Sequence, residues 1–363
     1  MRVAFWTNYP SHQVAGLCEA LHKWTSGGVT VIHTRELEQS RRRLGWEPIA
    51  ASFPCVALWQ SPGKALGLLG DARVIHLFGG VWGEKTLAAL ALWCARTKVR
   101  FGLVQEPSFP GRSSLKRACK RMIAGRLAPR AVGVFAISRR AESEMRDYGF
   151  PEDRIWSFGY FRESPERGER IRAEASDIVL YLGQFTERKG INLLLSAWEV
   201  MRGSGLKLRL VGGGEMSESV RAWIETRGFG DQVELARPVS PDAVWEELSR
   251  ARVLVLPSRH DGWGVVVNEA LSVGVPVVAS SAAGSSELVT SSGAGCVFQS
   301  ENKESLCRSL LGTLSPESIL SWSENAFRFR GRIHPETAAR YMLGCLSSPG
   351  SPPPPPWRGS CAA

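Results

Sequence analysis

The stretch Ala251–Phe298, ARVLVLPSRHDGWGVVVNEALSVGVPVVASSAAGSSELVTSSGAGCVF, decides the fold. It contains β-rich runs at 251–257, 276–279 and 295–298, separated by segments of helical length. This alternation is typical of a parallel sheet with helical crossovers. A glycine-punctuated loop separates the first run from a helix that begins near Val265. The stretch therefore predicts an open α/β sheet with a glycine loop at the carboxyl end of one strand.

The same alternation extends over most of the chain and predicts two doubly wound halves. The other predicted strands are 2–6, 29–33, 73–78, 99–105, 131–138, 155–158, 177–182, 206–211 and 232–235, and the predicted helices of the first half are 14–24, 85–97, 113–127 and 139–148. We expect a Rossmann-like N-terminal domain at 1–165 and a second at 166–332, joined by the charged segment 162–176. A C-terminal helix at 333–346 is expected to return to the first domain. The proline-rich tail 347–363 is expected to be disordered. It is either a terminal extension without a binding role or a ligand for a proline-recognition domain.

Composition narrows the class of protein. The chain has 363 residues, 44% of them apolar, which excludes wholesale disorder and allows two domains. Its net charge of +10 suggests nucleic acid, an anionic membrane or a phosphorylated small molecule as partner. The excess lies in residues 1–172, which hold 27 basic and 15 acidic side chains, a net of +12.

The lack of targeting and metal-site signals in the sequence favours a cytoplasmic protein. The eight cysteines are scattered without the spacing of a zinc site, so reduced thiols are expected. The N-terminus runs directly into a strand pattern and lacks a signal-peptide core, and no apolar run is long enough to span a bilayer. We therefore expect a cytoplasmic location, no metal and no cofactor.

The loop His260–Gly264 has the features of a phosphate and sugar site. It follows a strand and opens a helix, whose first N–H groups and positive dipole end favour an anion. Gly262 and Gly264 allow that anion to approach the backbone closely. Asp261 and Glu269 lie eight positions apart, and carboxylates accept hydrogen bonds from sugar or ribose hydroxyls. A helix cap and a solvated glutamate are the alternative interpretation of this pair.

Two further glycine loops follow strands of the same half. The first, Gly183–Gly190, reads GQFTERKG and places Arg188 and Lys189 where a diphosphate needs positive charge. Two solvated cations are the alternative, although the dipole at a helix start disfavours them. The second loop contains Gly212 and Gly213. Three such loops on one sheet are a stronger signal than any one alone.

These motifs carry a resemblance to a known family. GQFTERKG, LRLVGGGE and VLPSRHDGWGVVVNEALSVGVPVVAS resemble the donor domain of the retaining glycosyltransferases of family four, which have the GT-B fold of two Rossmann-like domains facing across a cleft. The resemblance implies that Asp261 binds the donor sugar hydroxyls and Glu269 the ribose. It implies that the backbone from Gly262 through Trp263 and Gly264 to Val265 contacts sugar and diphosphate, and that Lys189 neutralises the phosphates. Gln184 stands where the family has an arginine, and Asp261 where glutamate is usual.

The resemblance also implies an activity. It is the metal-independent, retaining transfer of a sugar from a nucleotide-diphosphate sugar to a glycan or lipid-linked acceptor, in surface polysaccharide, lipopolysaccharide or glycolipid synthesis. A histidine of the first domain commonly faces the donor sugar in this family, and His76 and Glu106 are the candidates. His76, in an apolar strand, also fits a core histidine. A nucleotide-sugar epimerase of the same fold and a basic nucleic-acid-binding protein are the alternative functions.

The basic residues of the first half are concentrated in the segment 112–130. This segment holds seven cations and no acidic residue, with apolar residues Leu115, Ala118, Cys119, Met122, Ile123 and Leu127 at helical spacing. The spacing predicts a helix with its apolar side buried and its cations on one exposed face. Such a face suits anionic lipid or a lipid-linked diphosphate, and an ordinary solvated face is the alternative. The run Arg41–Arg43 is expected to add to this patch.

Overall fold

The computed structural model describes residues 1–9, 11–42, 51–108, 114–165 and 171–359. The chain divides into two compact units. The first contains the described residues within 1–38, 51–162 and 335–356, and the second those within 39–42, 163–334 and 357–359. The first boundary therefore lies at 162/163, close to the boundary at 165/166 that the sequence predicts.

Each unit contains one parallel sheet. The strands are β1 (Arg2–Thr7), β2 (Val29–His33), β3 (Cys55–Ala57), β4 (Val74–Gly79), β5 (Phe101–Gln105), β6 (Val134–Ile137), β7 (Ile155–Phe158), β8 (Ile178–Gln184), β9 (Lys207–Gly213), β10 (Val233–Ala236), β11 (Val253–Leu256), β12 (Val277–Ser280) and β13 (Gly295–Phe298). In the described chain the first sheet has the order β3-β2-β1-β4-β5-β6-β7 and the second β10-β9-β8-β11-β12-β13. The prediction of two parallel α/β sheets is confirmed.

Helices connect the strands of both sheets. They are α1 (His12–Trp24), α2 (Gln39–Arg42), α3 (Pro62–Gly67), α4 (Lys85–Thr97), α5 (Ser114–Leu127), α6 (Arg139–Asp147), α7 (Ile191–Trp198), α8 (Ser217–Thr226), α9 (Val244–Ser249), α10 (Val265–Ser272), α11 (Ser286–Ser292), α12 (Lys303–Gly312), α13 (Pro316–Phe329) and α14 (Pro335–Ser347). The predicted helices agree with α1, α4, α5 and α6 to within two residues. Strand β3 was not predicted, because three residues at a sheet edge give too short a pattern.

The strands read as apolar runs because both faces of a parallel sheet are covered. Trp6, Phe78 and Phe101 are fully buried in the core of the first unit. Tyr181 and Trp198 are buried to the same extent in the core of the second. In the second sheet the strand order reverses between β8 and β11, and the loops that follow these two strands consequently lie beside one another.

The C-terminal helix returns to the first unit as expected, but the tail after it differs from the prediction. Helix α14 packs against α1 of the first unit, where the Arg340 guanidinium lies 4.3 Å from the centre of the Trp24 ring. The expected disorder of the tail is wrong for residues 347–359. Trp357 is fully buried, and the Arg358 Nε and Nη2 atoms donate to Glu287 Oε2 at 3.1 and 2.9 Å. A tryptophan after the proline run supplies buried apolar area that the composition of the tail does not reveal.

Helix α5 also differs from the prediction, because its exposed face is partly apolar. Leu115 is 72% exposed and Met122 56%, whereas Lys120 is buried. The helix instead buries Ala124 and Leu127. Its exposed face therefore carries apolar and basic side chains together. Arg112 and Arg43, which were expected to add charge here, lie outside the described residues.

The charged segment between the two units is anchored to the second unit at its C-terminal end. Arg252 is buried, and its Nη1 atom donates to the carbonyl oxygens of Glu174 at 3.1 Å and Ser176 at 3.2 Å. Ala173 is fully buried. Residues 171–176 thus pack on the second unit, while 166–170 lie outside the described residues.

Candidate active site

The three glycine loops of the second unit lie together at one edge of its sheet. Strands β9, β8 and β11 are adjacent and parallel, so their carboxyl ends meet at that edge. The loop after β8 contains Arg188 and Lys189, and the loop after β11 contains Asp261. Ligands of open α/β sheets bind at this edge, where the strand order reverses. The sequence-predicted donor residues are consequently neighbours in the structure.

Lys189 and Asp261 form an ion pair across the two loops. The Lys189 Nζ atom donates to Asp261 Oδ2 at 2.6 Å. The side chains are only 18% and 11% exposed. The Thr186 hydroxyl accepts from the Lys189 backbone N–H at 3.4 Å and so caps the turn Glu187–Lys189. The lysine predicted to meet phosphate and the aspartate predicted to meet sugar are therefore in direct contact.

Arg188 contacts the same loop through its backbone and side chain. Its Nη1 atom donates to the carbonyl oxygen of His260 at 3.2 Å, and its own carbonyl oxygen accepts from the Arg259 N–H at 2.9 Å. Gly190 has a positive φ of 71°, and a Cβ atom there would lie 1.9 Å from the Pro257 carbonyl oxygen. Glycine is therefore required at position 190 for the two loops to approach this closely.

The glycines at the ends of β8 and β9 lie side by side. Gly183 pairs with Gly212, and Gln184 with Gly213. A Cβ atom at Gly212 would lie 1.9 Å from the Gly183 carbonyl oxygen. The backbone carbonyl of Gln184 accepts from the Tyr181 hydroxyl at 2.7 Å. This part of the site is a surface of backbone atoms without bulky side chains, as a diphosphate site requires.

The loop before α10 presents backbone, not aromatic surface. Trp263 is 2% exposed, and its indole N–H donates to Asn268 Oδ1 at 2.7 Å. Its carbonyl oxygen accepts from the Ser285 N–H at 2.8 Å and the Ser285 hydroxyl at 2.7 Å. Gly264, with a φ of 93°, precedes the first helical residue Val265. The Trp263 side chain is thus part of the core, and any contact of Trp263 with a donor falls to its backbone.

Glu269 lies within α10, one turn after Val265. Residues four apart share one face of a helix, so Glu269 and Val265 are on the same side. Glu269 is only 4% exposed. The interpretation of Glu269 as a solvated surface glutamate is therefore wrong.

Three polar side chains of the site were not predicted. Tyr181 lies under the loop after β8, and burial, with the Asp261 carboxylate nearby, raises the pKa of its phenol. Ser258 Oγ lies 3.5 Å from Asp261 Oδ2. Ser285 supports the loop before α10 across 22 residues of sequence. Local patterns did not reveal them, although a serine after a strand is a common loop signal.

The first-unit candidate His76 is a core residue. It is fully buried in the middle of β4, where it pairs with Ala4 of β1. The Trp6 indole N–H donates to His76 Nδ1 at 3.0 Å, so this nitrogen is an unprotonated acceptor. This geometry does not support the expectation that His76 contacts substrate, and it agrees with the core alternative.

The burial of His76 predicts a pH dependence of stability. Burial lowers the pKa of His76 from about 6.5 to about 4. The unfolded chain therefore binds a proton below pH 6.5 that the folded chain binds only near pH 4, so folding stability falls as the pH falls through this window. We expect wild type to lose on the order of 2 kcal/mol more between pH 6.5 and 4 than the variant His76→Gln. Urea unfolding at several pH values measures this difference, and parallel pH curves for the two proteins would contradict it.

Glu106 follows β5 and is part of a polar network. The Tyr160 hydroxyl donates to Glu106 Oε1 at 2.5 Å. Two residues later, the Ser108 N–H donates to Glu144 Oε2 at 2.6 Å, and the Lys120 ammonium contacts the Ser108 hydroxyl. The contact with Ser108 explains why Lys120 is buried. The structure thus places Glu106 on a well-supported loop of the first unit.

Ser138, between β6 and α6, has an unusual backbone. It precedes α6 with a φ of 83° and a ψ of 156°, a region that residues with a side chain rarely adopt. Its side chain is buried.

Within the described ranges, the side chains form no cluster suited to a metal ion and the helices are not suited to span a membrane. No group of three or more His, Cys, Asp or Glu side chains within them has the arrangement to hold a metal ion. The helices within those ranges are also too short or too polar to cross a membrane.

Comparison with known proteins identifies the second unit. Residues 164–328 match the family described as glycosyl transferases group 1. The second unit is a glycosyl transferases group 1 domain. This group 1 domain contains Lys189, Asp261, Glu269 and all three glycine loops.

Individual relatives agree with this family. Alpha-D-kanosaminyltransferase of Streptomyces kanamyceticus is 26% identical over 231 residues, which are 59% of this chain and 58% of that protein. The aligned region thus spans little more than half of that relative. The structure of Anabaena HepE in complex with UDP has a TM-score of 0.72 at 14% identity, covering 96% of this chain and all of that one. That of WaaG, a glycosyltransferase involved in lipopolysaccharide biosynthesis, has a TM-score of 0.64 at 16% identity over 94% of this chain and all of that one. The group 1 domain is therefore part of a chain with the GT-B fold.

Proposed function

We propose that this protein is a retaining glycosyltransferase. It moves a sugar from a nucleotide-diphosphate sugar to a glycan or lipid-linked acceptor, in the synthesis of surface polysaccharide, lipopolysaccharide or glycolipid. The observation that carries the proposal is the contact of Lys189 with Asp261 between the loops that follow β8 and β11 of a group 1 domain, with Glu269 one turn into the helix α10 that the second loop opens. The UDP complex of a protein with the same fold supports a nucleotide as the ligand of this domain.

Each donor group has a partner of matching chemistry in this proposal. Lys189 supplies a point charge for the diphosphate, and the N-terminus of α10 supplies backbone N–H groups and a positive dipole end. Asp261 accepts hydrogen bonds from the sugar hydroxyls, and Glu269 accepts them from the ribose. Arg188 adds positive charge to the loop while its guanidinium supports the backbone of His260.

The chemical step depends on stabilising the leaving diphosphate. Positive groups that are already in position when the reaction begins stabilise the negative charge that develops on the leaving diphosphate. The acceptor attacks from the face that the diphosphate leaves, so the anomeric configuration is retained, and a departing phosphate oxygen helps to take the acceptor proton. The chain's own residues bind and orient the donor, and no covalent sugar–enzyme intermediate is required.

Turnover of a nucleotide-sugar panel tests the proposal. Purified protein is incubated with UDP-, GDP- and ADP-sugars, and release of nucleoside diphosphate is measured. We expect release from at least one donor and its loss in Glu269→Ala and Lys189→Ala. Lys207→Ala is the matched control, because Lys207 begins β9 at the opposite edge of the sheet. Equal activity in all four proteins would contradict the site, and an epimerised nucleotide sugar as product would favour the epimerase.

We further propose that the first unit binds the acceptor and that α5 contacts an anionic membrane surface, which places the protein at the inner face of the membrane in the cytoplasm. Leu115, Ala118 and Met122 form an exposed apolar strip on α5. By helical periodicity, Arg117 and Arg121 flank the strip on one side and Arg126 on the other. An apolar strip between cations is the arrangement by which helices lie in a lipid interface.

Membrane binding by α5 gives a measurable expectation. The double variant Leu115→Glu/Met122→Glu removes the apolar strip and adds two negative charges, so we expect at least a tenfold loss of binding to phosphatidylglycerol vesicles in a sedimentation assay. Leu311→Glu is the matched control, because Leu311 is an exposed leucine of the second unit. Vesicle binding that is the same in the double variant and in wild type would exclude α5 as the contact.

A further inference from the structure

We infer that the Asp261 carboxylate competes with the donor phosphate for Lys189, and that this competition makes the site favour an intact nucleotide sugar over a bare nucleoside diphosphate. The inference rests on the proposed function and concerns the selectivity of the same site. It depends on the contact between the two side chains, which no sequence motif specifies.

The geometry of the pair makes it a competitor for phosphate. The Lys189 Nζ and Asp261 Oδ2 atoms are 2.6 Å apart, the distance of a charge-assisted hydrogen bond. Both side chains are more than four-fifths buried, so solvent screens their attraction less than at an open surface. The lysine charge is therefore neutralised by a carboxylate of the protein itself. A diphosphate gains the full attraction of Lys189 only by displacing the carboxylate.

A nucleoside diphosphate and a nucleotide sugar differ in whether they supply a new hydrogen-bond donor to the Asp261 carboxylate. A bare nucleoside diphosphate takes Lys189 and leaves a partly buried carboxylate without its cation, which is costly. A nucleotide sugar brings hydroxyl groups that donate hydrogen bonds to the same carboxylate. The cost of breaking the pair is thus offset for the intact donor alone.

This difference has a consequence for turnover. The nucleoside diphosphate is the product that remains after the sugar has been transferred. Re-formation of the Lys189–Asp261 pair competes with that product and favours its release. The aspartate therefore acts at two stages of turnover. It binds the sugar of the donor, and it later displaces the product nucleoside diphosphate from Lys189.

Calorimetric titration of wild type and Asp261→Asn tests the inference. The probes are UDP, GDP and ADP, and the UDP-, GDP- and ADP-sugars of the turnover panel. We expect Asp261→Asn to bind the matching nucleoside diphosphate about tenfold tighter than wild type, because Lys189 loses its internal partner. We expect its affinity for the nucleotide sugar to stay equal or fall. The ratio of the two affinities therefore moves toward the bare diphosphate.

Two controls locate the effect in the ion pair. Adding Asp261→Asn to Lys189→Met should give a smaller gain in diphosphate affinity than adding it to wild type, since only the repulsion between carboxylate and diphosphate is then relieved and no ion pair is broken. Glu187→Gln removes an exposed carboxylate of the same loop that pairs with Arg259, and its diphosphate affinity should match wild type. Asp261→Ala serves as a second variant, and thermal melting verifies that each protein is folded.

The outcomes separate this inference from the proposed function. If wild type binds none of the six kinds of probe, the proposed function fails. If wild type binds them and Asp261→Asn and Asp261→Ala bind the diphosphate equally or more weakly, the inference is overturned and the proposed function stands. A gain of equal size in the Lys189→Met background would likewise overturn it.

Discussion

Replacing Lys189 by alanine is expected to lower kcat/KM for the nucleotide sugar by about 100- to 1000-fold, the range seen when one group that stabilises developing charge is removed. Its ammonium is the charge nearest to Asp261 on the loops where the donor is proposed to bind. The loss should exceed that from removing a cation that has no acidic partner, because the Asp261 carboxylate, left without Lys189, then repels the diphosphate.

Steady-state kinetics with the donor identified in the panel measures this loss. Lys207→Ala controls for the removal of one positive charge from the same unit, since Lys207 lies at the amino end of β9 and is 61% exposed. We expect that control to retain activity within about twofold of wild type. Lys189→Ala with similar kinetics would remove Lys189 from the site.

The second large effect is expected from Gly190→Ala. An alanine at a φ of 71° is strained, and its Cβ would lie 1.9 Å from the Pro257 carbonyl oxygen. Strain of about 1 kcal/mol and overpacking of about 1–3 kcal/mol together predict that the free energy of unfolding falls by about 2–4 kcal/mol. The loops after β8 and β11 would also move apart, so donor affinity should fall in the fraction that folds.

A second glycine separates the strain from the clash. Gly203 has a φ of 75°, and a Cβ atom there would meet no atom within 4 Å. Gly203→Ala should therefore cost about 1 kcal/mol from strain alone and leave donor affinity unchanged. Urea unfolding of both variants measures the difference, and equal losses would show that the approach of Gly190 to Pro257 is not required.

The sequence predicted the fold because its signals are local, and the same signals placed the candidate residues on neighbouring loops. Apolar runs define strands such as β8 and β11, and glycines mark the loops that follow them. In a parallel sheet those loops meet at one edge, so topology alone brings Lys189 and Asp261 into the same region. Their contact across 72 residues of sequence was not predictable, because it depends on side-chain conformations and loop geometry.

The wrong predictions share a physical cause, which is that burial depends on tertiary neighbours. The spacing of apolar residues on α5 suggested a buried strip, yet Leu115 is exposed, and Lys120 is buried beside Ser108. Composition suggested a disordered tail, yet Trp357 is in the core. Helical periodicity identifies a face, and only the packed structure identifies which face is covered.

The anomeric configuration of the first product tests the central proposal most directly. The purified protein is mixed with an α-linked nucleotide sugar identified in the panel, and proton NMR follows the anomeric signals before mutarotation. The account predicts consumption of the donor with an α-configured sugar as the first product, and consumption slower by about 100-fold or more with Lys189→Ala. A β-configured first product, or a donor left intact throughout the panel, would contradict it.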